Sequence, residues 1–131
     1  MRSTRTSKPR SILVVDDNHD LTDMLAVLLR ADGQVVYVAD DGNAALELAR
    51  LHPIDVVFLD LGMPGMDGCE TGRRLRAEHG RSLLLVALTG YGRDEDRARS
   101  REAGFDHHLV KPISIELLRD LLDTPNLTNA R

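Results

Sequence analysis

Cysteine occurs once in this chain, at Cys69, so an internal disulfide and a cysteine metal cluster are both excluded. Such usage suits a reducing compartment. Aromatic residues make up only 3%, with two Tyr, two Phe and no Trp, so a core must be aliphatic. The same scarcity argues against a flavin site, which would need rings to sandwich the cofactor. No apolar run approaches the ~20 residues of a membrane span. None of signal-peptide length follows the basic start, Met1 to Arg10. There is no excess of positive charge: the net charge is −4, which speaks against nucleic acid as a direct partner. A calcium loop is missing, and the five His do not cluster as zinc ligands would.

What is present is a chain of 131 residues, 42% hydrophobic and 29% charged, the size of one soluble globular domain. Short strand-like runs alternate with helical patterns. The runs are Ile12–Val15, Gln34–Ala39, Ile54–Leu59, Leu83–Leu88 and His108–Val110. Between them, Leu21, Met24, Leu25, Leu28 and Leu29 form an amphipathic stripe that Asp17 or Asn18 can cap. Asp41 can cap a second helix whose face is Ala44, Ala45, Leu48 and Leu51, stopped by His52-Pro53. Asp67-Gly68 opens a third helix reaching about Glu78. A charged helix runs from about Arg93 to Ala103 and ends at Gly104, a left-handed cap. Ser114 caps the last helix, with the stripe Leu117, Leu118, Leu121 and Leu122. Strict alternation predicts an α/β domain, a doubly wound (βα)5 unit around a five-stranded parallel sheet. The flavodoxin-like order 2-1-3-4-5 is expected, with ligands at the switch point between strands one and three.

Four of the runs end in chemically specific residues: Asp16-Asp17, Asp60, Thr89 and Lys111-Pro112. In a parallel sheet these ends share one edge. Three crowded carboxylates repel unless a counter-charge relieves them. Mg²⁺, a hard cation taking oxygen ligands, fits that need. An ammonium and a hydroxyl complete what a phosphoryl group in transfer requires. An Asp carboxylate can itself be the nucleophile. Asp60, followed by the Gly- and Pro-rich loop Leu61–Met66, is the best candidate, with Asp16 and Asp17 as metal ligands. Singly, each residue is more often a cap, a turn or a solvated charge; four matched strand ends together argue against that reading.

The segments Val14-Val-Asp-Asp-Asn18, Leu59-Asp-Leu-Gly-Met-Pro-Gly-Met-Asp-Gly68, Ala87-Leu-Thr-Gly90 and Val110-Lys-Pro112 resemble the receiver domain of two-component response regulators. The resemblance covers residues 11 to 123, leaving 1–10 as a basic leader and 124–131 as a tail. It implies that Asp60 accepts a phosphoryl group from a phosphohistidine on a histidine kinase or phosphotransfer domain. It further implies that Asp17, Asp60 and the backbone carbonyl of Gly62 ligate Mg²⁺, with Asp16 acting directly or through water. Thr89 and Lys111 would each bond a phosphoryl oxygen, and Lys111-Pro112 would be a cis peptide. Gly65 and Gly68 fit the turn after the third strand.

Two positions depart from the family's best-known members. His108 stands where a switch Tyr or Phe is usual, and an imidazole can also swing between rotamers; the alternative is a half-exposed His with no switching role. Gly62, two after Asp60, leaves that side of the phosphoryl site open, while Tyr91 covers the other; aspartyl-phosphate lifetime is therefore open. The charged helix with Arg93, Arg97, Arg99 and Arg101 reads as a solvated face or a partner-docking surface, and Cys69 as a packing residue. The resulting expectation is a cytoplasmic phosphoacceptor and signalling switch, not an enzyme beyond self-phosphorylation and slow autodephosphorylation, with no membrane contact. The alternative is a receiver-like binding module that is not phosphorylated. A haloacid-dehalogenase-type phosphatase is disfavoured, because its two Asp are separated by one residue near the first strand. The Gly104–Pro112 stretch and the Leu88–Gly92 loop look most like receivers of hybrid histidine kinases, against the option of a stand-alone regulator.

Overall fold

The structure, a computed structural model, describes residues 10–63, 68–90 and 94–123, with the side chains of residues 94–97 outside the description. The leader up to residue 9, the tail from 124, and the expectations placed on Gly65, Asp67, Tyr91, Arg93 and Arg97 therefore lie outside the described residues.

The elements alternate: β1 (Ser11–Val15), α1 (His19–Ala31), β2 (Val35–Ala39), α2 (Gly42–Leu51), β3 (Val56–Asp60), α3 (Gly68–His79), β4 (Leu84–Thr89), α4 (Asp94–Glu102), β5 (His107–Val110) and α5 (Ile115–Leu122). A single 3-10 turn, Gly80–Ser82, joins α3 to β4. The strands are all parallel in the order β2-β1-β3-β4-β5, as expected. The strands of β3 and β4 are buried along their whole length, as a sheet covered on both faces requires.

The pleat divides the core in two. Ile12, Val14, Phe58 and Val86 pack with Leu25 and Leu29 of α1 and with Leu118 and Leu122 of α5. Leu13, Val15, Val57 and Leu85 pack with Leu46 of α2 and Leu75 of α3 on the other face. Each fully buried Leu contributes about 1.5–3 kcal/mol of transfer free energy.

Helix starts follow the expected chemistry. Asn18, rather than Asp17, caps α1 by accepting from the Leu21 N–H at 3.2 Å. Asp41 accepts from Ala44 at 2.7 Å, and Ser114 from Leu117 at 3.0 Å. The helix faces are rotated from the expected stripes. Thr22, Leu25, Ala26 and Leu29 form the buried face of α1, while Met24 is exposed. Leu46 and Ala49 join Ala45 in α2, while Leu51, its last residue, is exposed. Leu117 is also exposed, while Leu118 and Leu122 form the buried face of α5.

Candidate functional site

The first two strand ends place the acids. Asp16 follows β1 and is fully buried, its N–H donating to the Ala39 carbonyl at 3.1 Å. Its Oδ1 accepts the Asn18 N–H at 3.0 Å, which fixes the carboxylate at the start of α1. Asp17 is exposed. Asp60 is the last residue of β3, 7% exposed, and its Oδ1 accepts the Gly62 N–H at 3.0 Å. One carboxylate oxygen from each of Asp16, Asp17 and Asp60 falls within 4.8 Å of the others. The expected acidic cluster therefore exists, and its all-oxygen donor set suits a hard divalent cation.

The other two ends meet it. Thr89 closes β4 and is buried, one residue beyond Leu88, the register partner of Asp60. Its carbonyl accepts the Lys111 N–H at 2.7 Å. The Lys111-Pro112 bond is cis. The Lys111 ammonium donates to Asp16 Oδ2 at 2.8 Å and lies 3.4 Å from Asp60 Oδ2. At rest the lysine thus leans on Asp16 more than on Asp60.

Burial is the main cause that lifts the Asp60 carboxyl above the usual aspartate range, and the neighbouring Asp16 charge adds to it. The Gly62 N–H and Lys111 offset part of that rise. For Lys111, burial pulls the ammonium down, but the hydrogen bond to Asp16 and the charges of Asp60 and Asp16 together hold it above its ordinary value. The pocket therefore stores uncompensated negative character on a buried carboxylate, which an added cation would neutralise.

His108 is elsewhere. It pairs with Ala87 in the sheet and faces α4, where its Nδ1 lies 3.1 Å from Ser100 Oγ. Among the described residues Gly62 has room for a side chain: an added Cβ would meet Asp60 Oδ1 at 3.7 Å. Gly68 does not, since a Cβ would come within 2.7 Å of the Leu61 Cα, so the chain crosses there at glycine distance. Ser100 escaped the sequence reading, as did Arg76. The Arg76 guanidinium donates to the carbonyls of Gly80, Leu83 and Gly104 and to Asp106 Oδ2 at 2.6 Å. A polar residue inside a charged helix carries no sequence signal for either role. Among the described residues no helix is long and apolar enough to cross a membrane.

Known proteins agree with this arrangement. Virulence sensor protein BvgS of Bordetella pertussis is 40% identical over 126 residues, covering 89% of this chain and 10% of that protein. Sensor histidine kinase GacS of Pseudomonas protegens is 36% identical over 115 residues, covering 85% of this chain and 12% of that protein. The chain thus spans about a tenth of the length of these two relatives. A response regulator from Burkholderia pseudomallei, solved with a phosphorylated aspartic acid, calcium ion and citrate, superposes with a TM-score of 0.81 at 25% identity, covering 90% of this chain and 68% of that one. The model of the response regulator receiver domain matches residues 12–123. With that span of sequence, the 2-1-3-4-5 sheet and the strand-end residues in agreement, the chain belongs to the response regulator receiver domain family, the phosphoacceptors of two-component signalling.

Proposed function

We propose that Asp60 takes a phosphoryl group from a phosphohistidine and that the resulting charge at the sheet edge switches the domain between two states. The observation that carries this reading is the convergence of three carboxylates within 4.8 Å, with the Lys111 ammonium 3.4 Å from Asp60. Asp60 is the nucleophile: its carboxylate oxygen forms the new P–O bond as the P–N bond of the phosphohistidine breaks and the imidazole leaves. Asp17, Asp60 and the Gly62 carbonyl would hold Mg²⁺, with Asp16 directly or through water. When bound, Mg²⁺ supplies positive charge against the phosphoryl oxygens.

Lys111 then has a better partner than Asp16. Its ammonium turns to a phosphoryl oxygen, and the Thr89 hydroxyl donates to another. Phosphorylation thereby draws the ends of β4 and β5 toward Asp60. His108, three residues before Lys111 on β5, changes rotamer with that movement, and a two-state equilibrium is biased. Water later cleaves the acyl phosphate, so the domain resets itself slowly. The donor is a histidine kinase or a histidine phosphotransfer domain, a reading that the similarity to GacS supports. That similarity, with BvgS, also favours origin in a larger hybrid kinase and a cytoplasmic setting.

The test is incubation with Mg²⁺ and acetyl phosphate, followed by intact mass. A phosphate-sized gain is expected in the wild type, and none in Asp60→Asn or without Mg²⁺. No gain under any condition would reject the phosphoacceptor role and leave a protein-binding module.

A further inference from the structure

The fourth helix is attached to the domain in an uneven way. Its sequence, Asp94-Glu-Asp-Arg-Ala-Arg-Ser-Arg-Glu102, contains no Leu, Ile, Val, Met or aromatic residue. Helices α1 and α5 are held by buried leucines at helical spacing, and α4 has nothing comparable. Among its described side chains, the buried one is Ser100, 2% exposed.

The carboxyl end of α4 is pinned firmly. Gly104, at φ +100°, ends the helix in the left-handed region. The Phe105 N–H donates to the Ser100 carbonyl at 3.1 Å, and the Gly104 N–H to Arg101 at 3.0 Å, the paired bonds of a Schellman cap. Arg76 of α3 then grips the Gly104 carbonyl through Nε at 3.2 Å and Nη2 at 2.8 Å. Phe105 is buried against Gly72 of α3, so closely that a Cβ on Gly72 would stand 2.5 Å from its ring. Asp106 adds Oδ2 contacts to Arg76 and to the Leu85 N–H at 2.9 Å.

Upstream of that anchor, among the described side chains, Ser100 Oγ of α4 lies 3.1 Å from His108 Nδ1 of β5. A cavity of about 130 Å³ lies beside this contact, lined by Ser100, Arg101, Phe105 and the Asp106–His108 segment. His108 Nε2 is buried there with no hydrogen-bond partner. An imidazole held by one nitrogen, with the other desolvated and unsatisfied, gains a hydrogen bond by leaving for water. Its inward position is thus poised to give way.

We propose that the Ser100–His108 hydrogen bond is a latch that keeps α4 seated on the sheet, and that its release lets α4 open about a fixed pivot formed by Gly104, Phe105 and Arg76. The latch is a property of the resting domain. Its release by phosphorylation rests on the function proposed above, since His108 shares β5 with Lys111. Where α1 and α5 are seated by buried leucines, the described part of α4 is seated through a polar contact that a His108 rotamer change can break.

Hydrogen exchange of the full chain, read by mass spectrometry, tests this in two arms. In the unphosphorylated protein, Ser100→Ala should speed exchange of the α4 amides about fivefold, the equivalent of roughly 1 kcal/mol of opening free energy, with α3 and β4 unchanged. Alanine favours helix more than serine does, so faster exchange cannot come from propensity. His108→Phe, which keeps a ring of similar size, should act alike, and the double variant should add nothing. Unchanged α4 exchange in both variants, or equal acceleration throughout the domain, would overturn the latch. In the second arm, acetyl phosphate with Mg²⁺ should speed α4 exchange in the wild type and add little in Ser100→Ala. If intact mass shows phosphate but α4 exchange is unmoved, the coupling is overturned. If no phosphate is taken up, the proposed function fails while the first arm still decides the latch.

Discussion

The Nζ of Lys111 lies 2.8 Å from Oδ2 of Asp16, joining the end of β5 to the end of β1 across the acidic cluster. The Asp16 side chain is 1% exposed and that of Lys111 27%. A buried carboxylate without its partner is costly, so Lys111→Met should destabilise the metal-free protein at neutral pH by about 3 kcal/mol. Adding Asp16→Asn to the same chain should recover most of that loss, because the unpaired charge is then gone. Urea unfolding of the two variants in EDTA decides it; equal losses would mean that the lysine stem, not its charge, is what matters. Lys111 is held above its ordinary value, so its contribution is full at neutral pH and disappears only on alkaline titration.

Asp60 works in the opposite direction. Its carboxyl is raised by burial and by Asp16, so the native state binds the proton more tightly than the unfolded chain does. Stability should therefore fall as pH rises past about 4, the ordinary aspartate value, and the full cost is present once the native group has ionised too. Asp60→Asn removes this cost. In EDTA at pH 7 it should be the more stable protein. That advantage should shrink as pH is lowered through the acid range, where the wild type is itself protonated. Denaturant midpoints across pH 3.5–7.5 read this directly, and an advantage that grows on acidification would contradict it.

The strand ends are readable in the sequence because parallel βα units impose local rules. Each short apolar run must end at the same edge, so Asp16, Asp60, Thr89 and Lys111 can be brought together without coordinates. Side-chain partners obey no such rule. Lys111 and Asp16 are 95 residues apart, and only the register of β5 on β4, with the β1–β3 pairing, brings the ammonium to Asp16 before Asp60. Arg76 and Asp106, 30 apart, join a helix to a loop with no periodic cue. The misplaced apolar residues have a simpler cause. Leu51 is the last residue of α2, past the point at which the sheet covers the stripe, whereas Leu117 is turned about 100° around α5 from the buried Leu118.

Asp17 is the exposed member of the acidic cluster, so its removal should separate metal binding from folding. Asp17→Ala should change stability in EDTA by no more than about 0.5 kcal/mol, the usual range for a surface substitution. The wild type should gain stability as Mg²⁺ is raised above its dissociation constant, by mass action on the native state. Asp17→Ala should lose most of that gain. Thermal unfolding with and without Mg²⁺ gives both numbers, and an undiminished Mg²⁺ effect in the variant would remove Asp17 from the ligand set.

Gly62 offers a way to change the lifetime of the phosphorylated state without touching the acids. A side chain there would start 3.7 Å from Asp60 Oδ1, an ordinary van der Waals distance, and its N–H bond to Asp60 would remain. Neither strain nor loss of the anchoring hydrogen bond is expected. The new group would instead stand where water approaches the acyl phosphate on Asp60. Gly62→Asn should therefore fold as the wild type does, still take up phosphate from acetyl phosphate, and lose it more slowly. A several-fold longer half-life corresponds to about 1 kcal/mol added to the hydrolysis barrier. The half-life follows from intact mass after the donor is removed by rapid desalting. A variant that gains phosphate yet loses it at the wild-type rate would show that water reaches Asp60 from another side.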